Sequence, residues 1–104
     1  MKKITLALAI IILVSCSQDN TKDSLTIFTS RQPQLIEPIL ERYTEKTGIE
    51  VTLLSGNAQQ LMERIDIEGK DSKADIFMTV DAGVLWQASE RGILESVKSE
   101  ILNT

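Results

Sequence analysis

The chain has no histidine and one cysteine among its 104 residues. Without imidazole there can be no Ser-His or Cys-His catalytic pair and no zinc site that needs a histidine ligand. A lone Cys16 excludes an intrachain disulfide and calls for another explanation. Tyrosine occurs once, as Tyr43. Basic residues are outnumbered, 11 Lys plus Arg against 15 Asp plus Glu, for a net charge of −4. That balance is wrong for a nucleic-acid binder, whose phosphate contacts need clustered cations. It also gives little for anionic lipid headgroups to attract. No internal repeat or low-complexity tract is present. What remains, 42% apolar and 25% charged, is ordinary globular composition.

The longest apolar stretch, Ile4 to Val14, is also too short for a bilayer span, which takes about 20 residues. It follows Met1-Lys2-Lys3 and precedes the small Ser15, the layout of a secretory signal peptide. Leu13-Val14-Ser15-Cys16 resembles the bacterial lipobox, in which the cysteine thiol is lipidated and becomes the new N-terminus. The competing reading is a plain signal anchor with an incidental cysteine. Residues 1–15 are therefore expected to be a lipoprotein signal peptide. From Cys16 onward the balance is nine basic against fifteen acidic side chains, a charge of −6. Ser17 to Ser24 hold no large apolar residue, and residues 16–24 read as a flexible tether between a lipid anchor and a domain. Acyl chains contribute roughly 0.8 kcal/mol per buried CH₂, so several on Cys16 would hold the product at a membrane.

Beyond the tether, strand and helix patterns alternate. Leu25 to Thr29 is a short β-rich run. Leu35, Ile36, Ile39, Leu40 and Tyr43 then form one helical stripe, with Glu37, Glu41, Arg42, Glu45 and Lys46 opposite and Gly48 where a left-handed terminator belongs. Pro38 lies inside this pattern, so the helix either begins near Leu35 or kinks there. Ile49 to Leu54 reads as a second strand and Ala58 to Ile67 as a second helix, with Leu61, Met62 and Ile65 inward. Ala74 to Thr79 is a near-continuous apolar strand of the kind covered on both faces. Asp81 is placed to cap a third helix ending at Gly92. Ile93 to Val97 reads as extended, and residues 98–104 as the start of a further helix. Trp86, in the middle of the third helix, reads as a packing residue.

Three β-α units in series predict an α/β fold, a parallel sheet with βαβαβα order. Ligands in such sheets sit at the carboxyl ends of the strands, ahead of helix N-termini. Here those ends are Thr29-Ser30-Arg31-Gln32, Ser55-Gly56-Asn57 and Thr79-Val80-Asp81-Ala82. The candidate anion-binding residues are Ser30, Arg31, Gln32, Ser55, Asn57 and Asp81. Each has a plainer reading: Arg31 as a solvated loop arginine rather than a bidentate clamp, Ser30 and Ser55 as turn residues, Asp81 as a helix cap. No nucleophile-base pair or metal-ligand cluster can be assembled, so an enzyme is not expected.

Several strings, in order across residues 25–97, resemble the N-terminal part of bacterial ferric-iron-binding proteins of ABC importers, in the type II periplasmic binding-protein superfamily. They are Ile27-Phe28-Thr29-Ser30-Arg31-Gln32-Pro33 with Leu35-Ile36-Glu37-Pro38, Thr47-Gly48-Ile49-Glu50-Val51, and Leu61-Met62-Glu63-Arg64-Ile65 before Glu68-Gly69. The most specific is Ala74-Asp75-Ile76-Phe77-Met78-Thr79-Val80-Asp81-Ala82-Gly83, followed by Ala88-Ser89-Glu90-Arg91-Gly92-Ile93-Leu94. The resemblance implies a two-lobed, monomeric protein that clamps Fe(III) between its lobes and delivers it to a membrane permease. It further implies that second-lobe tyrosines supply most ligands and that an anion such as carbonate completes the shell. Phenolate and carboxylate oxygens are hard donors that suit such a metal.

Two departures stand out: Gln32-Pro33 replaces a His-Tyr pair found in some members, and Val80 replaces a Glu. The expectation is that this lobe brings no iron ligand of its own and that Ser30 and Arg31 help hold the anion. Family members are roughly three times longer, on the scale of two domains. Residues 25–104 are thus expected to be an incomplete first lobe, read from a longer gene and forming no stable Fe(III) complex alone. Transport of another solute, such as an oxyanion or polyamine, is an alternative within the superfamily. A small surface lipoprotein acting as an interaction module is an alternative outside it. Cys16→Ala is expected to leave the product unlipidated, which radiolabelled palmitate incorporation checks.

Overall fold

A computed structural model describes residues 23–103. The expected signal peptide and Cys16, with most of the expected tether, lie outside the described residues. The described elements run β1 (Ser24–Thr29), α1 (Pro33–Thr47), β2 (Glu50–Ser55), α2 (Ala58–Glu68), a 3₁₀ turn (Gly69–Asp71), β3 (Ile76–Met78) and α3 (Ala82–Glu90). All three strands are parallel, in the order β2-β1-β3. Ile27 pairs with both Leu53 and Ile76, and Thr29 with both Ser55 and Met78. The expected α/β architecture with a parallel sheet is therefore present. Among the described residues no helix is long and apolar enough to cross a membrane.

β1 is buried because it has a neighbour on each side. Successive side chains point to opposite faces of a strand, yet Ile27, Phe28 and Thr29 are all buried. Both faces of β1 are therefore covered. α1 packs on β2, whereas α2 packs on β1 and on α3. Between α2 and α3 lies a cluster of Met62, Val84 and Ala88, with Ala58, Phe77 and Ile93 against it. The Arg64 guanidinium stands over the Phe28 ring, 5.3 Å from its centroid, and its Nε bonds Glu68. Arg91 donates to Asp66 at 3.1 Å, tying the end of α3 to α2.

α1 starts at Pro33 and continues through Pro38 without interruption. Proline at this position removes one backbone donor, which would have bonded the Gln34 carbonyl. Gln34 and Pro38 are both exposed, so water can satisfy that carbonyl. The helix ends at Gly48, whose φ of 73° is the left-handed conformation that side chains disfavour, and whose N–H bonds Thr44 O at 2.8 Å.

Four expectations are corrected. The stripe on α1 is only partly covered: Ile36 is buried, but Leu35 and Ile39 are 58% and 66% exposed and Tyr43 lies at the margin. A three-stranded sheet is too narrow for a helix that leans toward β2 to bury its whole apolar face. Trp86 is 64% exposed rather than packed, because α3 turns Val84 and Ala88 inward. β3 is confined to Ile76–Met78, since the Asp75 carboxylate takes the ladder position by accepting the Thr26 N–H at 2.8 Å. Finally, 93–97 joins no ladder, and 99–102 forms a turn rather than a helix. Gly92, at φ 69°, turns the chain out of α3, and Ile93 is the last residue to enter the core.

Met62 is fully buried at the α2–α3 seam. Met62→Ala is expected to destabilise the protein by roughly 2–5 kcal/mol, through lost transfer energy and the cavity left behind. Urea unfolding followed by circular dichroism would show it as a lowered midpoint.

Candidate functional site

The carboxyl ends of the three strands converge because the ladder holds them in register. β1 lies at the centre, so Ser30 and Arg31 sit between the Ser55–Asn57 loop on one side and the Thr79–Asp81 loop on the other. Hydrogen bonds fasten the loops to each other. The Ser30 N–H donates to Met78 O at 3.0 Å and the Gly56 N–H to Thr29 O at 3.0 Å. The Ser30 hydroxyl donates to Thr79 Oγ1 at 3.0 Å.

Two threonines shape the turns in the same way. Thr29 Oγ1 accepts the N–H of Arg31, and Thr79 Oγ1 accepts that of Asp81, each at 3.0 Å and each two residues on. These side-chain turns let β1 and β3 leave the sheet sharply. Thr29 is completely buried, and no buried side-chain polar atom among the described residues lacks a partner.

The six candidate residues divide by what already engages them. Asn57 Oδ1 caps α2 by accepting from Gln60 N at 3.2 Å. Asp81 Oδ1 caps α3 by accepting from Gly83 N at 2.9 Å and Val84 N at 3.1 Å. Both are thus occupied as caps. Gln32 is the N-cap of α1, but its side chain makes no capping bond, and Pro33 opens the helix. Among these three helices α1 alone has a first turn without a side-chain cap. Exposed Arg31 stands beside it, with no ion pair or hydrogen bond from its guanidinium among the described residues. Ser55 is exposed at the end of β2. Open donors therefore gather around the end of β1: a guanidinium, a hydroxyl pair and the Gln34 amide of α1, since Pro33 has no N–H and the Leu35 N–H bonds the Gln32 carbonyl at 3.1 Å. Such a set receives the oxygens of an anion.

Thr29 and Thr79 were not singled out as site residues from sequence, although both lie in the loops that were. Their signal is the repeated position, a threonine at the end of an apolar strand and two residues before the polar residue that follows.

Residues 28–104 match the family model described as bacterial extracellular solute-binding protein. Among curated proteins the chain is 41% identical over 83 residues to iron uptake protein A1 of Synechocystis, which is 80% of this chain and 23% of that protein. It is 28% identical over 79 residues to the major ferric iron-binding protein of Neisseria gonorrhoeae, 76% of this chain and 24% of the relative. Among solved structures it is similar to the Trichodesmium protein IdiA (FutA) in complex with iron and citrate. That likeness has a TM-score of 0.72 and 44% identity, covering 77% of this chain and 25% of the other. The ferric binding protein of Campylobacter jejuni gives a TM-score of 0.72 at 37% identity, over 75% of this chain and 25% of that one. The chain spans about a quarter of the length of the curated relatives it matches.

Because Asp81 accepts two first-turn amides, Asp81→Ala is expected to cost about 0.5–2 kcal/mol of stability. Asp81→Asn, which keeps the accepting oxygen, is expected to recover most of it. Denaturant unfolding of both variants separates the cap from any role in ligand binding.

Proposed function

This chain belongs to the bacterial extracellular solute-binding protein family, and on that premise we propose that it serves the uptake of ferric iron as part of the extracytoplasmic binding component of an ABC importer. The observation that carries the reading is the agreement between kinship and chemistry. The relatives named for iron are similar over three-quarters or more of this chain, and one of them was solved with iron and citrate. At the carboxyl end of its sheet this chain places donors for an oxyanion.

In this reading the cargo is Fe(III) carried with an oxygen-rich anion, carbonate or a carboxylate such as citrate. Arg31 takes two anion oxygens through its planar fork, with Ser30 and the uncapped start of α1 beside it. Anion charge compensates the trivalent metal, and its oxygens are the hard donors such a cation prefers. Among the described residues no three His, Cys, Asp or Glu side chains converge to hold a metal. In this reading the segment receives the anion, and the second-lobe tyrosines that the resemblance implies hold the metal. Ser55 and Gln32 border the mouth, while Asn57 and Asp81 shape it as caps.

The sequence supports the rest of the assignment. Residues 1–15 direct export, Cys16 carries the lipid, and residues 16–24 tether residues 25–104 at the membrane surface. There a monomeric binding protein meets its permease. The role is carriage, with no chemical conversion of the solute. Carriage of a free oxyanion is a second reading favoured by the same unpaired guanidinium. A polyamine is disfavoured, because Arg31 would repel it.

The test is competition for Fe(III) between the protein as encoded in its gene and a chelator, with carbonate or citrate present. Saturable uptake is expected. Arg31→Ala is expected to weaken it about 10–100-fold, the equivalent of one charge-assisted contact of roughly 1.5–3 kcal/mol. Absence of uptake by the wild type would overturn the iron reading. Anion binding that ignores iron would favour the free oxyanion.

A further inference from the structure

The hydroxyl pair at the mouth has one hydrogen more than its contacts use. Ser30 and Thr79 are 3.0 Å apart, oxygen to oxygen, so one of their two hydroxyl hydrogens lies between them. Thr79 Oγ1 also accepts the Asp81 N–H at 3.0 Å. The second hydroxyl hydrogen of the pair has no acceptor among the described residues. Each hydroxyl has one hydrogen and two accepting lone pairs, and its hydrogen turns easily. Two arrangements of the pair therefore exist with the same heavy-atom positions. In one, Ser30 donates to Thr79. In the other, Thr79 donates to Ser30, and the Ser30 hydrogen is released. Only Ser30, directly before Arg31 and three residues ahead of the first residue of α1, lies where the released hydrogen meets an anion oxygen.

We infer that Thr79 is a positioning residue of the anion site. When an oxyanion docks against Arg31, Thr79 takes the donor place in the Ser30–Thr79 bond, and Ser30 turns its hydrogen to an anion oxygen. No covalent bond changes, only two hydroxyl rotations. The Asp81 N–H keeps Thr79 Oγ1 in place during the switch, and the Met78 carbonyl holds the backbone of Ser30. The device favours a hydrogen-bond acceptor, a carboxylate or carbonate oxygen, over a ligand that must itself donate. This inference rests on the reading above that the mouth receives an oxyanion with Fe(III).

The test uses the protein as encoded in its gene, loaded with Fe(III) and citrate against a competing chelator. Thr79→Val keeps the side-chain shape and removes both the donor and the acceptor of the Asp81 N–H. It is expected to weaken loading about 3–10-fold, and Thr79→Ser to restore it. Ser30→Ala is expected to weaken loading at least as much. In the Ser30→Ala background, Thr79→Val is expected to weaken loading by less than it does alone, because the donor acts through Ser30 while the lost Asp81 N–H contact is common to both backgrounds. A purely structural threonine would lower affinity equally in both backgrounds, and that result overturns the inference. So would wild-type loading by Thr79→Val, or failure of Thr79→Ser to rescue. Should Thr79→Val not fold, Thr79→Cys, with its weak thiol donor, runs the same cycle. A wild type that takes up no Fe(III) overturns both this inference and the reading beneath it. A wild type that loads normally beside an unaffected Thr79→Val overturns the inference alone.

Discussion

The structure depends on β1 holding the middle of the sheet. A central parallel strand needs a hydrogen-bonding partner along both edges and a cover on both faces, and β1 has all four. Its register with β2 and β3 fixes where those strands end, so the loops that follow them come together without contacts of their own having to draw them in. Thr29 sits where these demands meet. Its side chain is buried, its hydroxyl shapes the turn into Arg31, and its carbonyl holds the Gly56 amide.

At that junction polar groups engaged within the fold stand beside others that the fold leaves unengaged. Two of three helix starts are closed by their own side chains, Asn57 and Asp81, which satisfies first-turn amides internally. The start of α1 is not closed this way, and the cation next to it pairs with nothing among the described residues. The asymmetry sets the centre of the mouth at the end of β1 rather than midway among the loops.

Much of this was readable in advance because periodicity and terminators are local signals. Leu61, Met62 and Gly48 announced their roles through spacing, as did the cap at Asp81. The misreadings share a cause, in that they depended on how much surface the neighbours would cover. Leu35 and Ile39 have the spacing of a buried face, but spacing does not reveal that the sheet below is three strands wide. Trp86 has the bulk of a core residue, yet Val84 and Ala88 take the inward positions of its helix. Ala74 and Thr79 have strand composition, but a side-chain carboxylate replaces one end of the ladder and a side-chain turn the other. At the site, residue types and loop positions were legible, whereas the pairing of Ser30 with Thr79 was not, since the two are 49 residues apart and nothing local links them.

Parallel pairing also bears on the order of events as the polypeptide matures. β1 is first of the strands in the chain and last to be enclosed: its partners begin at Glu50 and Ile76, and neither can be reached by a tight hairpin. Until the second of these has emerged, Ile27 and Phe28 remain uncovered along one edge. A nascent chain of this topology stays open until the third strand has emerged. Closure of that kind makes the arrival of the third strand, rather than the first, the event that completes the core.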